Sequence, residues 1–160
     1  MGTVYSDQMT NVLAVPSVAL DACDHHARLR CAKFSKLWAA AGSSGDTVQL
    51  VKLPAGRVRF IGKLSYCYHN LTEGSQTVDI GWAAYVNLAG TTVVADPDGL
   101  DDGVSAETAG CINMGTVAAV AAVGYMKTFE SQTGVIITLT SVGTPGSADY
   151  IYGDIVYALD

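Results

Sequence analysis

The stretch RVRFIGKLSYCYH, residues 57–69, decides how this chain reads. Val58, Phe60, Leu64, Tyr66 and Tyr68 fall on one side of an extended backbone, while Arg57, Arg59, Lys63, Ser65 and His69 fall on the other, with Ile61 the exception. Side chains alternate between the faces of a strand, so the pattern predicts one long β-strand with a buried apolar face and a displayed cationic one. At about 3.3 Å per residue it would run roughly 40 Å, well beyond an ordinary strand. Such a strand suits a sheet protein that lies against a partner better than it suits a catalytic centre.

Around this stretch, strands and turns alternate. TVQLVKL (47–53) precedes Pro54-Ala55-Gly56, a turn signal, and NLTEGSQ (70–76) turns into TVDIGWAAY (77–85), where Val78, Ile80 and Trp82 share a face. ADPDGLDDG (95–103) reads as a long Gly- and Asp-rich loop, and 114–123 is open between a helix and a buried irregular segment. Residues 125–132 and 135–142 read as a hairpin around Thr133-Gly134, and 150–159 as a closing strand with Ile151, Ile155, Tyr157 and Leu159 on one face. Residues 28–38 fit a strand or a short helix; the Arg-x-Arg spacing of Arg28 and Arg30, repeated at Arg57 and Arg59, favours the strand. Short strands at this spacing predict an all-β fold, an antiparallel β-sandwich or jelly roll, over residues 46–160. Residues 1–45 lack a sustained period and read as a partly extended N-terminal arm that orders on a partner or a neighbouring subunit.

Composition narrows the class. The 160 residues make a single domain able to bury a core without disulfides or metals; 49% are hydrophobic and 15% charged, with 17 Gly and 8 Tyr. No run approaches the length of an apolar membrane span, and the opening MGTVYSDQMTNVLAV has no cationic start followed by an apolar core, so synthesis and retention in the cytoplasm are expected, without a membrane partner. Cys23, Cys31, Cys67 and Cys111 are widely spaced without a CxxC pair, and read as small buried hydrophobes. The net charge of −6 divides unevenly: residues 1–69 hold eight cations against four acids (+4), and residues 70–160 hold one cation against eleven acids (−10). With no dense Lys/Arg run and no RNA-binding aromatic motif, this points away from nucleic acid and toward attraction between the halves, within one chain or between copies.

Candidate sites each meet a plainer reading. Cys23, His25, His26 and Cys31 are zinc-ligand types, but their spacing matches no closed tetrahedral pattern. Asp96, Asp98 and Glu107 stand at the first, third and twelfth positions of a calcium-loop frame, but Leu100 and Asp101 occupy its fifth and sixth, so a solvated acidic loop is the better reading. There is no nucleophile elbow, phosphate loop or dinucleotide fingerprint, and Asp101-Asp102 lie in one loop rather than across a cleft. The expectation is a non-enzyme with no cofactor and no metal.

KLPAGRVRFIGKLS (52–65), TVDIGWAAY (77–85), DPDGLDDGVSAETAG (96–110) and SQTGVIITLT (131–140), in this order and spacing, with VYSDQMTN (4–11) at the start, resemble small virion proteins of tailed bacteriophages, of the capsid decoration or cement type. The resemblance implies a jelly-roll or β-sandwich core, a place on the capsid surface of the virion, and assembly in the cytoplasm of the host bacterium. It implies the major capsid protein and sister copies, as dimer or trimer, as partners, and supplies no catalytic residues. On this reading the arm and the face bearing Arg28, Arg30, Arg57, Arg59 and Lys63 contact the shell or a sister subunit, while Asp96, Asp98, Asp101 and Asp102 face solvent. Two other readings stay open: another virion part (neck, tail or fibre attachment), or a carbohydrate- or cation-binding β-sandwich.

Overall fold

A computed structural model of the chain describes residues 28–71 and 74–159. Its last strand, β12 (Tyr150–Leu159), organises one sheet. Along one side of β12, β1 (Arg28–Leu37) runs antiparallel from Arg28 opposite Leu159 to Leu37 opposite Tyr150. Of the expected arm, residues 28–37 thus lie in the sheet as a strand, and residues 1–27, which include Cys23, His25 and His26, fall outside the described residues.

Along the other side of β12 lie β3 (Gly56–Ile61) and then β4 (Tyr66–His69). The single strand expected over 57–69 is therefore interrupted, by a 3-10 turn at Gly62–Leu64. Phe60 faces Tyr157 and Tyr66 faces Asp154, so six steps along one chain match three along the other and three residues are extruded. An odd insertion exchanges the two faces of a strand. Val58 and Phe60 point into the core before the turn; after it, Cys67 and His69 do, and Tyr66 and Tyr68 point outward. The expected buried Leu64 is exposed, and the expected surface residues Ser65 and His69 are buried.

β10 (Met126–Ser131) flanks β3, and β9 (Gly110–Asn113) flanks β4. The facing sheet has the order β2 (Thr47–Leu53), β11 (Val135–Val142), β5 (Thr77–Trp82) and β8 (Asp96–Ser105). With β3 and β4 counted as one interrupted strand, β10 as an addition to β3, and the small β6–β7 hairpin (Tyr85–Val86, Thr92–Val93) set aside, one sheet holds the first, eighth, third and sixth strands side by side. The other holds the second, seventh, fourth and fifth. This wrapped order is a jelly roll, within the expected fold class.

The core between the sheets includes Phe60, Phe129, Leu53, Ile80, Leu100, Ile137, Leu139 and Ile155, and the expected Val78, Ile80, Trp82 face is buried within it. Three local expectations change. Residues 95–103 are no loop: most belong to β8, which pairs β5 through two register shifts and buries Leu100 and Asp101. Residues 125–142 form no hairpin, because β10 joins the first sheet and β11 the second, so Gly134 turns the chain across the sandwich. Within 114–123 one helical turn forms, α1 (Ala118–Ala121), with Val120 buried. Of the described cysteines Cys67 is buried as expected, whereas Cys31 and Cys111 are exposed; all three are free thiols.

Candidate functional site

The extruded turn is held from three sides. Gly62 N–H donates to the Tyr125 carbonyl at 2.7 Å, and Ser65 N–H donates to the Gly62 carbonyl at 3.0 Å. The Ser65 hydroxyl donates to the Ile61 carbonyl at 2.8 Å and accepts from Val156 N–H at 2.9 Å. It thereby occupies the gap that the extrusion opens beside β12. A Cβ on residue 62 would lie 2.3 Å from the Met114 carbonyl oxygen, so only glycine fits.

The pairing of β1, β12 and β3 divides the five cations singled out from the sequence. Arg28 and Arg30 pair with Leu159 and Tyr157, which pair in turn with Val58 and Phe60. Paired residues share a face, so these two arginines lie on the core-directed side of β1, and both are exposed. Arg57 and Arg59 alternate with Val58 and Phe60 and take the opposite, outer face. Arg57 Nε lies 3.6 Å from Glu130 Oε1, an exposed pair worth less than about 1 kcal/mol. Lys63 sits in the turn itself, its Nζ 3.8 Å from the Tyr125 ring centroid in a cation–π contact. One strand edge and one sheet face thus replace the single basic face expected.

The face exchange brings Tyr66 and Tyr68, which the alternation pattern had placed in the core, out beside Tyr150 and Tyr152 of β12. Tyr68 stacks on Tyr152 at 5.0 Å between ring centroids, and Tyr152 on Tyr150 at 6.0 Å. The Tyr66 hydroxyl donates to Asp154 Oδ2 at 2.9 Å, and this bond, with the charge of Asp154, raises the Tyr66 phenol above its usual range. On β1 beside them, Leu29 and Leu37 point the same way and are 59% and 61% exposed. The sequence does carry a signal for this cluster: Tyr-x-Tyr occurs at 66–68 and 150–152, on strands that pair.

The acidic segment divides as well. Asp101, expected in solvent, is fully buried, and its carboxylate accepts from Gly115 N–H and Thr116 N–H, each at 2.8 Å, and from the Thr116 hydroxyl. Burial pushes this carboxyl up while those donors favour its ionised form, so its role is to tie β8 to the turn after β9. Asp96, Asp98, Arg59, Lys127 and Trp82 line an open groove of about 650 Å³. Lys127 Nζ lies 4.6 Å over the Trp82 ring. Burial, then hydrogen bonding to Asp98 and its charge, raise the Asp96 carboxyl, with Lys127 opposing. Among the described residues no group of three or more His, Cys, Asp or Glu side chains converges to hold a metal, and no helix is long and apolar enough to cross a membrane.

No protein-family model and no curated protein matches this chain. Among solved structures, a chain of the capsid of Ralstonia phage GP4 is similar over 83% of this chain and 85% of its own, with a TM-score of 0.59 and 15% identity. A chain of the cyanophage Pam1 capsid asymmetric unit is similar over 100% of both, with a TM-score of 0.53 and 12% identity. At these identities the likeness is one of fold, and this chain shares its architecture with protein chains of two phage capsids.

Proposed function

We propose that this protein is a non-enzymatic structural component of a bacteriophage virion: a decoration or cement protein that binds the outer surface of the shell formed by the major capsid protein. The observation that carries this reading is the jelly-roll fold of the described residues, together with the likeness in fold to chains of two phage capsids. The sequence resemblance points the same way, through separate residues.

A cement protein works by interface area. The outer face of the β12 sheet is about 33 Å long and roughly four strand spacings, or 19 Å, wide. That offers about 600 Å² per copy, somewhat less than the roughly 800 Å² per partner of a standard stable interface. Residues 1–27, the part of the arm expected over 1–45 that lies outside the described residues, would supply the remainder. Tyrosine and arginine are the residue types that anchor protein interfaces, and this face presents Tyr68, Tyr150 and Tyr152 with Arg57 and Arg59, next to Lys63 in the turn. Arg28 and Arg30, on the edge of the same sheet, face a neighbouring copy or capsomer.

Co-sedimentation of the purified chain with shells lacking it tests this assignment. The R57E/R59E double variant should bind at least ten-fold more weakly than wild type, with an unchanged circular dichroism spectrum. Undiminished occupancy of shells by this variant would remove the outer face from the contact. A copy number set by one ring per particle, rather than by the shell protein, would select the neck, tail or fibre-attachment reading.

A further inference from the structure

Two opposite sides of the sandwich carry opposite charge. β1 and β2 form one side: residues 28–53 hold Arg28, Arg30, Lys33, Lys36 and Lys52 against a single acid, Asp46. The Asp46 carboxylate is itself engaged, accepting from Ser43 N–H at 2.7 Å. β8 and β9 form the other: residues 96–113 hold Asp96, Asp98, Asp101, Asp102 and Glu107 and no cation. Asp98, Asp102 and Glu107 are exposed there; Arg59 and Lys127 share one groove with Asp96, Asp98 and Asp102, which leaves five acids against two cations on this side. Both sides are also bare sheet edges among the described residues: β1 pairs only β12, β2 only β11, β8 only β5 and β9 only β4.

The two patches do not satisfy each other within one chain. β2 and β8 stand three strand spacings apart in their sheet, about 14 Å, which exceeds the roughly 8 Å screening length at physiological salt. We infer that copies of this chain associate head to tail, the basic β1/β2 side of one against the acidic β8/β9 side of the next. A two-fold dimer through either side would lay like charge on like charge. The contact is therefore heterologous, and closes as a ring of three or more copies or runs on as an open row. The two register shifts in β8 break the regular ladder that a strand from another chain would need, so side chains make the contact rather than a continued sheet. A contact about 33 Å long across the thickness of two packed sheets covers roughly 600 Å² per copy, the size of a weak interface that neighbours on a common surface would reinforce. Only that last step rests on the proposed virion role; the contact belongs to the isolated chain.

Sedimentation of the full chain at about 10 mM and about 1 M salt, where the screening length is roughly 30 Å and 3 Å, reads this directly. Wild type should form trimers or larger species at low salt and monomers at high salt. R30E/K36E and D98K/D102K, all at exposed positions, should each stay monomeric at low salt and associate when mixed. A monomeric wild type at low salt, a closed dimer, salt-independent association, or variants that still self-associate would overturn the inference. If association behaves as described but the chain is missing from particles, the virion reading fails while this one stands. The converse result separates them the other way.

Discussion

Replacing Gly62 by alanine probes the feature that sets both faces of the outer sheet. The added Cβ would lie 2.3 Å from the Met114 carbonyl oxygen, 3.0 Å from that of Tyr125 and 3.1 Å from the Gly115 Cα, all of them backbone atoms. An ordinary carbon–oxygen contact needs about 3.3 Å, so the turn and the end of β9 must separate by roughly 1 Å. Overpacking of this kind costs about 1–3 kcal/mol, and strain on the 2.7 Å Gly62–Tyr125 hydrogen bond adds about 0.5–1.5 kcal/mol. The stiffer unfolded chain returns about 0.4–1 kcal/mol. The net loss is about 2–3 kcal/mol, which for a chain of this size lowers Tm by about 5–10 °C. Gly74→Ala is the matched control, because nothing among the described residues lies within 4 Å of its added Cβ, and it should stay within about 0.5 kcal/mol of wild type. Urea melts of the three proteins measure the difference as a shift in midpoint at unchanged slope. Equal midpoints for the two variants would refute the claim that the three-residue turn is clamped between β9 and β10.

Ser65→Ala removes the hydroxyl that bridges the Ile61 carbonyl and Val156 N–H, and should cost about 1–3 kcal/mol in the same urea assay because the amide loses its acceptor. His69 is buried, its Nδ1 has no hydrogen-bond partner among the described residues, and burial lowers its pKa below the ordinary 6.5. The unfolded chain therefore binds the proton first. The contribution of His69 is full above pH 6.5 and declines as pH falls below it, so His69→Gln should flatten the loss of stability between neutral and mildly acidic pH. Burial pushes the Cys67 thiol up to about 12, so a thiol reagent at neutral pH should label exposed Cys111 at once and Cys67 only on unfolding. Asp101→Ala leaves Gly115 and Thr116 without their acceptor and should cost at least about 2 kcal/mol, with faster proteolysis after β9 as a second readout.

The fold class was legible because strand alternation is local. Thr77–Trp82 and the first half of Tyr150–Leu159 show it, Thr47–Leu53 shows it on either side of a bulge at Leu50, and turn residues separate the three. The register of 57–69 was not, because an extruded turn of odd length reverses the faces without disturbing the alternation on either side. Gly62 inside the run was the one mark of it, and its reason lies in backbone atoms of Met114 and Tyr125, over fifty residues away in sequence. β8 was hidden by composition. Its Asp and Gly residues have low strand propensity, and it is a strand through β5, through the burial of Leu100, and through the donors that satisfy Asp101. The supposed hairpin at 133–134 failed for a topological reason: two amphipathic strands and a glycine turn read alike whether the chain folds back within a sheet or crosses to the other. Of the site, the cations were visible as residues, but their division between an edge and a face follows only from the pairing of β1, β12 and β3.

The most direct test of the virion assignment is the position and copy number of this chain in purified phage particles, by electron cryomicroscopy with quantitative protein analysis. A decoration protein should give density for the jelly roll on the outer surface of the head, in a fixed ratio to the major capsid protein. Absence of the chain from particles, or confinement to a single ring in the neck or tail, would contradict that role.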